Sequence, residues 1–280
     1  MDTKKYMNPI GLIAGGGQFP LLFAKRASEK GHRVCAVAYI KEASDEIEQY
    51  VDAVEWLHLG QVGRLLKFFK NNGVTESVMM GSVKKTKIFT DIKPDFKAIS
   101  FIATKGHTHD DSILSSFADL LEKEGISVKP STFLLPELIS PKGCWTRKKP
   151  DNAEQKDIRI GWRIAREIGK LDIGQCVVLA NGTVLAVEAA DGTDETIKRG
   201  ASLADRNAVI VKLSKPQQDL RFDLPSAGAD TIRIMAQYNA SVLALEAGRS
   251  ITFDRDEMVA LADANKISII AMDDDDFWYE

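Results

Sequence analysis

Cysteine is scarce: Cys35, Cys144 and Cys176 are three in number, far apart and in no CxxC pair. That spacing argues against a disulfide framework or a thiolate zinc site and fits a reducing cytoplasm. Histidine is nearly as rare, with only four in the chain, so a His-rich binuclear phosphoesterase centre would consume almost all of them. No uninterrupted apolar run reaches the roughly 18 residues that a membrane-spanning helix needs, so a transmembrane protein is excluded. The N-terminal stretch Met1–Asn8 leads into a short apolar segment that runs straight into Gly15-Gly16-Gly17, without the long apolar core of a signal peptide. Strong charge of one sign is also missing. Forty acidic and thirty-seven basic side chains leave a net charge of -3, which offers no field to gather a polyanion, and nucleic acid is not an expected partner. No internal repeat is visible.

What is present is the composition of a folded protein, with 44% hydrophobic and 28% charged residues. At roughly 150 residues per domain the length suggests two domains. Short apolar runs at Ile10–Ala14, Val34–Tyr39 and Ser77–Met80 read as buried strands, with a further one at Val54–Leu59. Between them, Gln18–Lys30 and Val62–Asn71 read as helices stopped by Gly31 and Gly73, and Ser112–Glu124 as a third closed by Gly125. This alternation predicts an α/β fold: an N-terminal Rossmann-like domain over 1–138 with a parallel sheet. Pro and charge in Ser140-Pro141-Lys142-Gly143 and Arg147-Lys148-Lys149-Pro150 mark a linker over 139–151. Residues 152–280 then form a mixed α/β domain. In it, Asp151–Lys170 is helical, and Val177–Ala180 and Val184–Glu188 flank Asn181-Gly182 as a hairpin. Further strands fall at Val209–Leu213, Val242–Leu245 and Ile267–Ala271, and helices at Thr231–Tyr238 and Arg255–Ala264. The four carboxylates Asp273 to Asp276 read as a solvated tail.

Several segments could carry chemistry. Gly15, Gly16, Gly17 and Gln18 lie where the first strand meets the first helix, a place suited to phosphate or to a tight structural turn. Pro20 stands where a dinucleotide fingerprint needs its third glycine, and no Walker lysine follows. His107 and His109 precede Asp110 and Asp111, which read equally as metal ligands or as N-terminal caps of the next helix. The segment Lys212–Pro225 packs Lys215, Arg221, Asp219 and Asp223 between two prolines, a loop suited to a metal-chelated anion. Asp223, between Phe222 and Leu224, needs a cation, hydrogen bonds or a salt bridge to Arg221 or Lys215. Glu188, Asp191 and Asp194 form a second acidic group in which Thr193 or Asp194 could be a helix cap.

Taken together, Gly11-Leu12-Ile13-Ala14-Gly15-Gly16-Gly17-Gln18-Phe19-Pro20, Leu171-Asp172-Ile173-Gly174-Gln175, Ala186-Val187-Glu188-Ala189, Asp191-Gly192-Thr193-Asp194, Lys215-Pro216 and Asp219–Pro225 resemble the UDP-2,3-diacylglucosamine pyrophosphatase family of lipid A biosynthesis, in its two-domain form distinct from the calcineurin-like enzymes. The resemblance spans essentially the whole chain and implies that 152–280 is the catalytic domain, with the ligand site expected between the two domains. It implies a Mg2+- or Mn2+-dependent hydrolase that splits UDP-2,3-diacylglucosamine into UMP and 2,3-diacylglucosamine 1-phosphate, lipid X. It further implies Asp223 as the essential acid, with Lys215 and Arg221 balancing phosphate charge and the metal held by Asp223 with Asp194, Asp110 or Asp111. Substrate contacts would come from Gly15, Gly16, Gly17, Gln18, Gly81, Ser82, Lys85, Glu188, Gly192, Thr193 and Asp194. Two departures stand out: Lys85-Thr86 where the family has Arg-Pro, and His107 and His109 where it has glycines. The enzyme is expected in the cytoplasm, at most peripheral on the inner face of the inner membrane, with a homo-oligomer compatible with this reading. A nucleotide-sugar oxidoreductase and a non-catalytic lipid or nucleotide carrier are the alternatives.

Overall fold

The computed structural model describes residues 7–83, 93–95, 97, 110–204, 207–221 and 224–277, with side chains from residue 8 and, in the helix that starts at 110, from residue 114. The chain forms two units, the first comprising the described residues up to 135 together with 219–221, the second 136–218 and those from 224 onward.

In the first unit, β1 (Met7–Ala14), α1 (Phe19–Glu29), β2 (His32–Tyr39), β3 (Ala53–Leu57), α2 (Val62–Asn71), β4 (Glu76–Met80), α3 (Asp110–Lys123) and β5 (Ser127–Val128) follow in order. All five strands are parallel, in the order β3-β2-β1-β4-β5. The strand order reverses between β1 and β4, which leaves a topological switch point at their carboxyl ends. Burial dictates the arrangement: Val34 to Ala38 are fully buried, as a strand covered on both faces requires. Leu65, Leu66 and Phe69 of α2 and Ala118 and Leu121 of α3 pack with Ile13, Val37 and Met79 in one core.

The second unit contains β6 (Gly143–Cys144), α4 (Asn152–Lys170), β7 (Cys176–Ala180), β8 (Thr183–Val187), α5 (Thr193–Leu203), β9 (Ala208–Lys212), β10 (Ser226–Ala227), α6 (Ala229–Gln237), β11 (Ala240–Glu246), β12 (Ile251–Thr252), α7 (Arg255–Ala264) and β13 (Ser268–Met272). Six strands make a mixed sheet in the order β6-β13-β11-β9-β7-β8, with β9, β11 and β13 parallel. A Rossmann-like parallel sheet followed by a mixed α/β unit is the fold class the sequence predicts.

Strand alternation sorts the second core into two faces. Val177, Leu179, Val209, Val211, Val242 and Ala244 meet Ile158, Trp162 and Ala165 of α4. Their neighbours Val178, Ile210, Leu243 and Leu245 meet Ile197 of α5, Ile232 and Met235 of α6 and Met258 of α7. Local signals fix the ends: Asp151 and Glu154 form a reciprocal capping box at α4. Asn181 and Gly182 take φ of 52° and 76°, the two positive values of a type I′ hairpin turn.

The stretch expected as a linker, 139–151, contributes an edge strand, with Ile270 opposite Cys144 and Ala271 opposite Gly143. The acidic run is solvated at Asp274 to Asp276, as expected, but it is tied down and not a loose tail. Lys142 Nζ takes Asp273 and Asp276 at 2.8 and 2.9 Å, and Asp274 accepts from Trp162 Nε1 at 2.6 Å and from Arg166 at 3.0 Å, because the run folds back on cations that sequence distance had hidden. Among the described residues no helix is long and apolar enough to cross a membrane.

Candidate functional site

Two carboxyl-end regions, one in each unit, collect the residues singled out in the sequence. In the first unit the loops leaving β1 and β4 interlock through their backbones. Gly15 N–H donates to the Met80 carbonyl at 2.8 Å, Gly16 N–H to the Ser82 carbonyl at 2.8 Å, and Ser82 N–H returns to the Gly16 carbonyl at 3.0 Å. A Cβ on Gly15 would stand 2.6 Å from the Ser82 carbonyl oxygen, and one on Gly81, at φ +88°, 2.6 Å from that of Gly16. Glycine is needed here because the two loops touch main chain to main chain. The amides of Gly15 and Gly16 therefore serve the loop pair and are not turned to a phosphate. Gly17 and Gln18 are exposed. A Cβ on Gly17 would meet nothing within 4 Å, and α1 begins at Phe19 with Pro20 in its first turn and no acidic residue there. An approach to this switch point runs over Gly17, Gln18 and the helix start.

In the second unit, three of the motif segments converge on the carboxyl edge of β9 and β11. Gln175 accepts from Leu213 N–H through its carbonyl at 2.9 Å, and its own N–H donates to Glu188 Oε2 at 3.2 Å. Gly174 lies so close under Glu188 that a Cβ would be 2.2 Å from its carbonyl oxygen. Thr193 Oγ1 donates to Glu188 Oε1 at 2.9 Å. Neither Thr193 nor Asp194 caps α5. Gly192, at φ +81°, is the cap residue and supplies no side chain, so the Thr193 hydroxyl goes to Glu188 instead. Arg199 holds Asp191 at 2.9 Å and, by that hydrogen bond, keeps its carboxyl below the usual range. Cys176, beside these groups, is no nucleophile: burial first, then the Glu188 charge, pushes its thiol up.

The expected phosphate-balancing cations are both paired. Lys215 Nζ lies 2.6 Å from Asp172 Oδ1, with side-chain exposures of 16% and 17%. Arg221 grips Asp219 through Nε and Nη2 and reaches Glu122 at 2.9 Å, all within the first unit. Burial works against the Asp219 charge, yet the Arg221 hydrogen bonds leave its carboxyl below the ordinary range.

A buried network at the same edge went unread in the sequence. Glu246, 2% exposed, ends β11 and accepts from Arg166 Nη2 at 2.6 Å and Nη1 at 3.2 Å. It also takes Ser214 N–H and Oγ at 2.8 and 2.6 Å. Its signal was a carboxylate closing an apolar strand, and that of Arg166 a charge four residues after Trp162 on the apolar stripe of α4.

Lys85, His107, His109 and Asp223 lie outside the described residues, as do the side chains of Asp110 and Asp111. Among the described residues no three His, Cys, Asp or Glu side chains gather as a metal-ligand group.

Sequence profiles place known relatives over this geometry. The profile described as LpxI N-terminal domain matches residues 9–138, and that described as LpxI C-terminal domain matches 141–270. A Caulobacter vibrioides protein described as UDP-2,3-diacylglucosamine pyrophosphatase LpxI is 31% identical over 278 residues, covering 95% of this chain and 98% of its own. Among solved structures, CobK precorrin-6A reductase aligns over 95% of this chain and 88% of its own at 9% identity and a TM-score of 0.34. The biotin carboxylase domain of Hydrogenobacter thermophilus 2-oxoglutarate carboxylase aligns over 64% of this chain and 36% of its own, at 14% identity and a TM-score of 0.27. Neither structural likeness carries an argument.

Proposed function

The chain belongs to the LpxI family, and on that premise we propose that it is the hydrolase that splits the pyrophosphate of UDP-2,3-diacylglucosamine into UMP and 2,3-diacylglucosamine 1-phosphate in lipid A biosynthesis. The observation that supports this reading best is the meeting of 171–175, 186–194 and 213–216 at one sheet edge, where Gln175 bonds both Leu213 and Glu188. They flank one end of the neighbouring strands β7, β8 and β9, so the sheet ladder brings the three motif segments together. Carboxyl ends of parallel strands are where open α/β sheets place ligands.

A phosphoanhydride resists water because its oxygens are negative, so the protein must lower that charge, direct a water and exclude side reactions. In the proposed step a water oxygen bonds to the sugar-side phosphorus while the bond from that phosphorus to the bridging oxygen breaks. The bridging oxygen departs with UMP, and the proton of the attacking water is released. Lys215 is the cation of the 213–216 turn, pinned beside Asp172, and Gly17 and Gln18 offer backbone at the switch point of the first unit.

Mg2+ or Mn2+ is part of the proposal. Carboxylate oxygens are the donors these ions favour, and Asp223 with Asp194, Asp110 or Asp111 is of that donor type. When bound, such an ion supplies charge neutralisation and acidifies water. Chelation of purified protein is expected to remove turnover, and Mg2+ or Mn2+ to restore it. Undiminished activity in excess chelator would refute the metal requirement.

The decisive assay incubates purified protein with the diacyl substrate and manganese and follows UMP by phosphorus NMR. Asp223→Ala is expected to abolish UMP release while leaving substrate binding in place. No UMP from the native protein would overturn the reaction. We also propose brief peripheral contact with the membrane that holds the diacyl substrate, which a liposome flotation assay leaving all protein unbound would refute.

A further inference from the structure

A pyrophosphate brings charge that the two expected cations meet only while already holding carboxylates of their own: Lys215 holds Asp172, and Arg221 holds Asp219 and Glu122. A third cation at the same edge of the second unit is built differently. Arg249 follows the turn after β11, where Gly248 takes φ +71°. Its Nε donates to Ser214 Oγ at 2.9 Å and lies 3.2 Å from Glu246 Oε1.

Glu246 has donors besides this arginine, although Arg166 divides its charge between Glu246 and Asp274. Arg166 already meets both of its oxygens, and Ser214 adds two further hydrogen bonds. Arg249 is thus held at the root of its guanidinium, through Nε. The side chain keeps 40% of its exposure, and among the described residues its two terminal amino groups donate no hydrogen bond. A guanidinium fixed at Nε with its two terminal amino groups left to other acceptors is preorganised for two parallel bonds to phosphate oxygens.

Position supports the same assignment. The side chain of Arg249 is tied to Ser214, next to Lys215. Two residues on, Ile251 donates its N–H to the Pro225 carbonyl at 2.9 Å and pairs with Ser226. Arg249 is therefore fixed to the 213–216 turn and to the end of the segment that carries Asp223, two stretches joined in the family resemblance.

We propose that Arg249 is a substrate-binding residue whose terminal amino groups take a pair of pyrophosphate oxygens, its root being held by Ser214 and Glu246. The assignment rests on the reaction proposed above. It is tested on the full chain with inorganic pyrophosphate as probe, by isothermal titration calorimetry, alongside steady-state kinetics with the diacyl substrate. Arg249→Gln, which keeps length and loses charge, is expected to weaken pyrophosphate binding by about tenfold or more. Arg249→Lys, which keeps charge and loses the fork, is expected to recover only part of that loss, and it serves as the probe should the glutamine variant fail to fold. Circular dichroism unchanged from the native protein qualifies either variant.

Native affinity in a folded variant overturns the assignment, and so does a native protein that does not bind pyrophosphate. The two proposals fail separately. UMP release by a folded Arg249→Gln at the native kcat/KM rejects the arginine and leaves the reaction. Pyrophosphate binding lost with Arg249 in a protein that never releases UMP rejects the reaction and supports the anion site.

Discussion

The two units place their motif residues at the same topological address, the carboxyl ends of parallel strands, and build there with different materials. At Gly15–Gly16 and Gly81–Ser82 the first unit joins its loops through main chain, with three backbone hydrogen bonds of 2.8 to 3.0 Å. The second unit uses side chains, a carboxylate at 2% exposure with five donated hydrogen bonds or ion contacts from Arg166, Ser214 and Arg249. The difference predicts different sensitivities. A backbone lock fails by steric intrusion, whereas a charge network fails when one partner is removed and the other stays buried.

The largest effect is expected from Glu246→Ala. It takes from Arg166, whose side chain is only 18% exposed, its buried carboxylate partner, leaving the more exposed Asp274 as the other, and it leaves Ser214 N–H without its acceptor. Breaking such a pair costs about 3–5 kcal/mol, read as a drop in the urea midpoint. An unshifted midpoint would show that the network is ornamental to stability and end the contrast from its charged side.

Next comes Gly81→Ala. Its Cβ would press to 2.6 Å on the Gly16 carbonyl oxygen at a φ of +88°, so strain and clash add. A loss of about 3 kcal/mol is expected, from left-handed strain of about 1–2 kcal/mol plus the displacement of the facing loop. Gly17→Ala isolates the first of these costs, because φ is +91° there but nothing lies within 4 Å. About 1–2 kcal/mol is expected for it. Equal losses at the two positions would mean that loop contact contributes nothing and that the lock is only conformational.

The sequence displayed the elements far better than their meetings. Arg255–Ala264 has the bounds expected from the sequence, and Asn181-Gly182 announces its hairpin, because these signals are local. Gly143–Cys144 was hidden: two residues between breakers carry no period, and the strand exists only because β13 offers an edge. The site divides in the same way. The motif segments were legible as an order of residues, and the glycine turn as a turn, but not which amides it would spend on Met80 and Ser82. Arg166 and Glu246 are 80 residues apart, and neither names the other. A charge on an apolar stripe signals a buried partner without saying which strand end supplies it.

The smallest expected effect extends the contrast to the surface of the first unit, where charge does appear, away from the loops. Glu124 accepts from Lys70 Nζ at 2.5 Å and from Lys97, and these bonds, the Lys70 one first, lower its carboxyl from 4.5 to about 2. A depressed folded-state value means that the stabilisation is complete above the unfolded value and is lost as pH falls from 4.5 towards 2. Glu124→Gln is expected to flatten that part of the profile of melting temperature against pH and to leave the profile at neutral pH lower by a small, salt-sensitive amount, since the pair is partly solvated. The loops after β1 and β4 contribute nothing titratable through their interlocking bonds, so the variant's remaining acid sensitivity should not follow Gly81→Ala. If that glycine variant alters the acid slope as well, the loop lock and the lysine clamp on α3 are mechanically joined, and the first unit is less purely a main-chain construction than its switch point suggests.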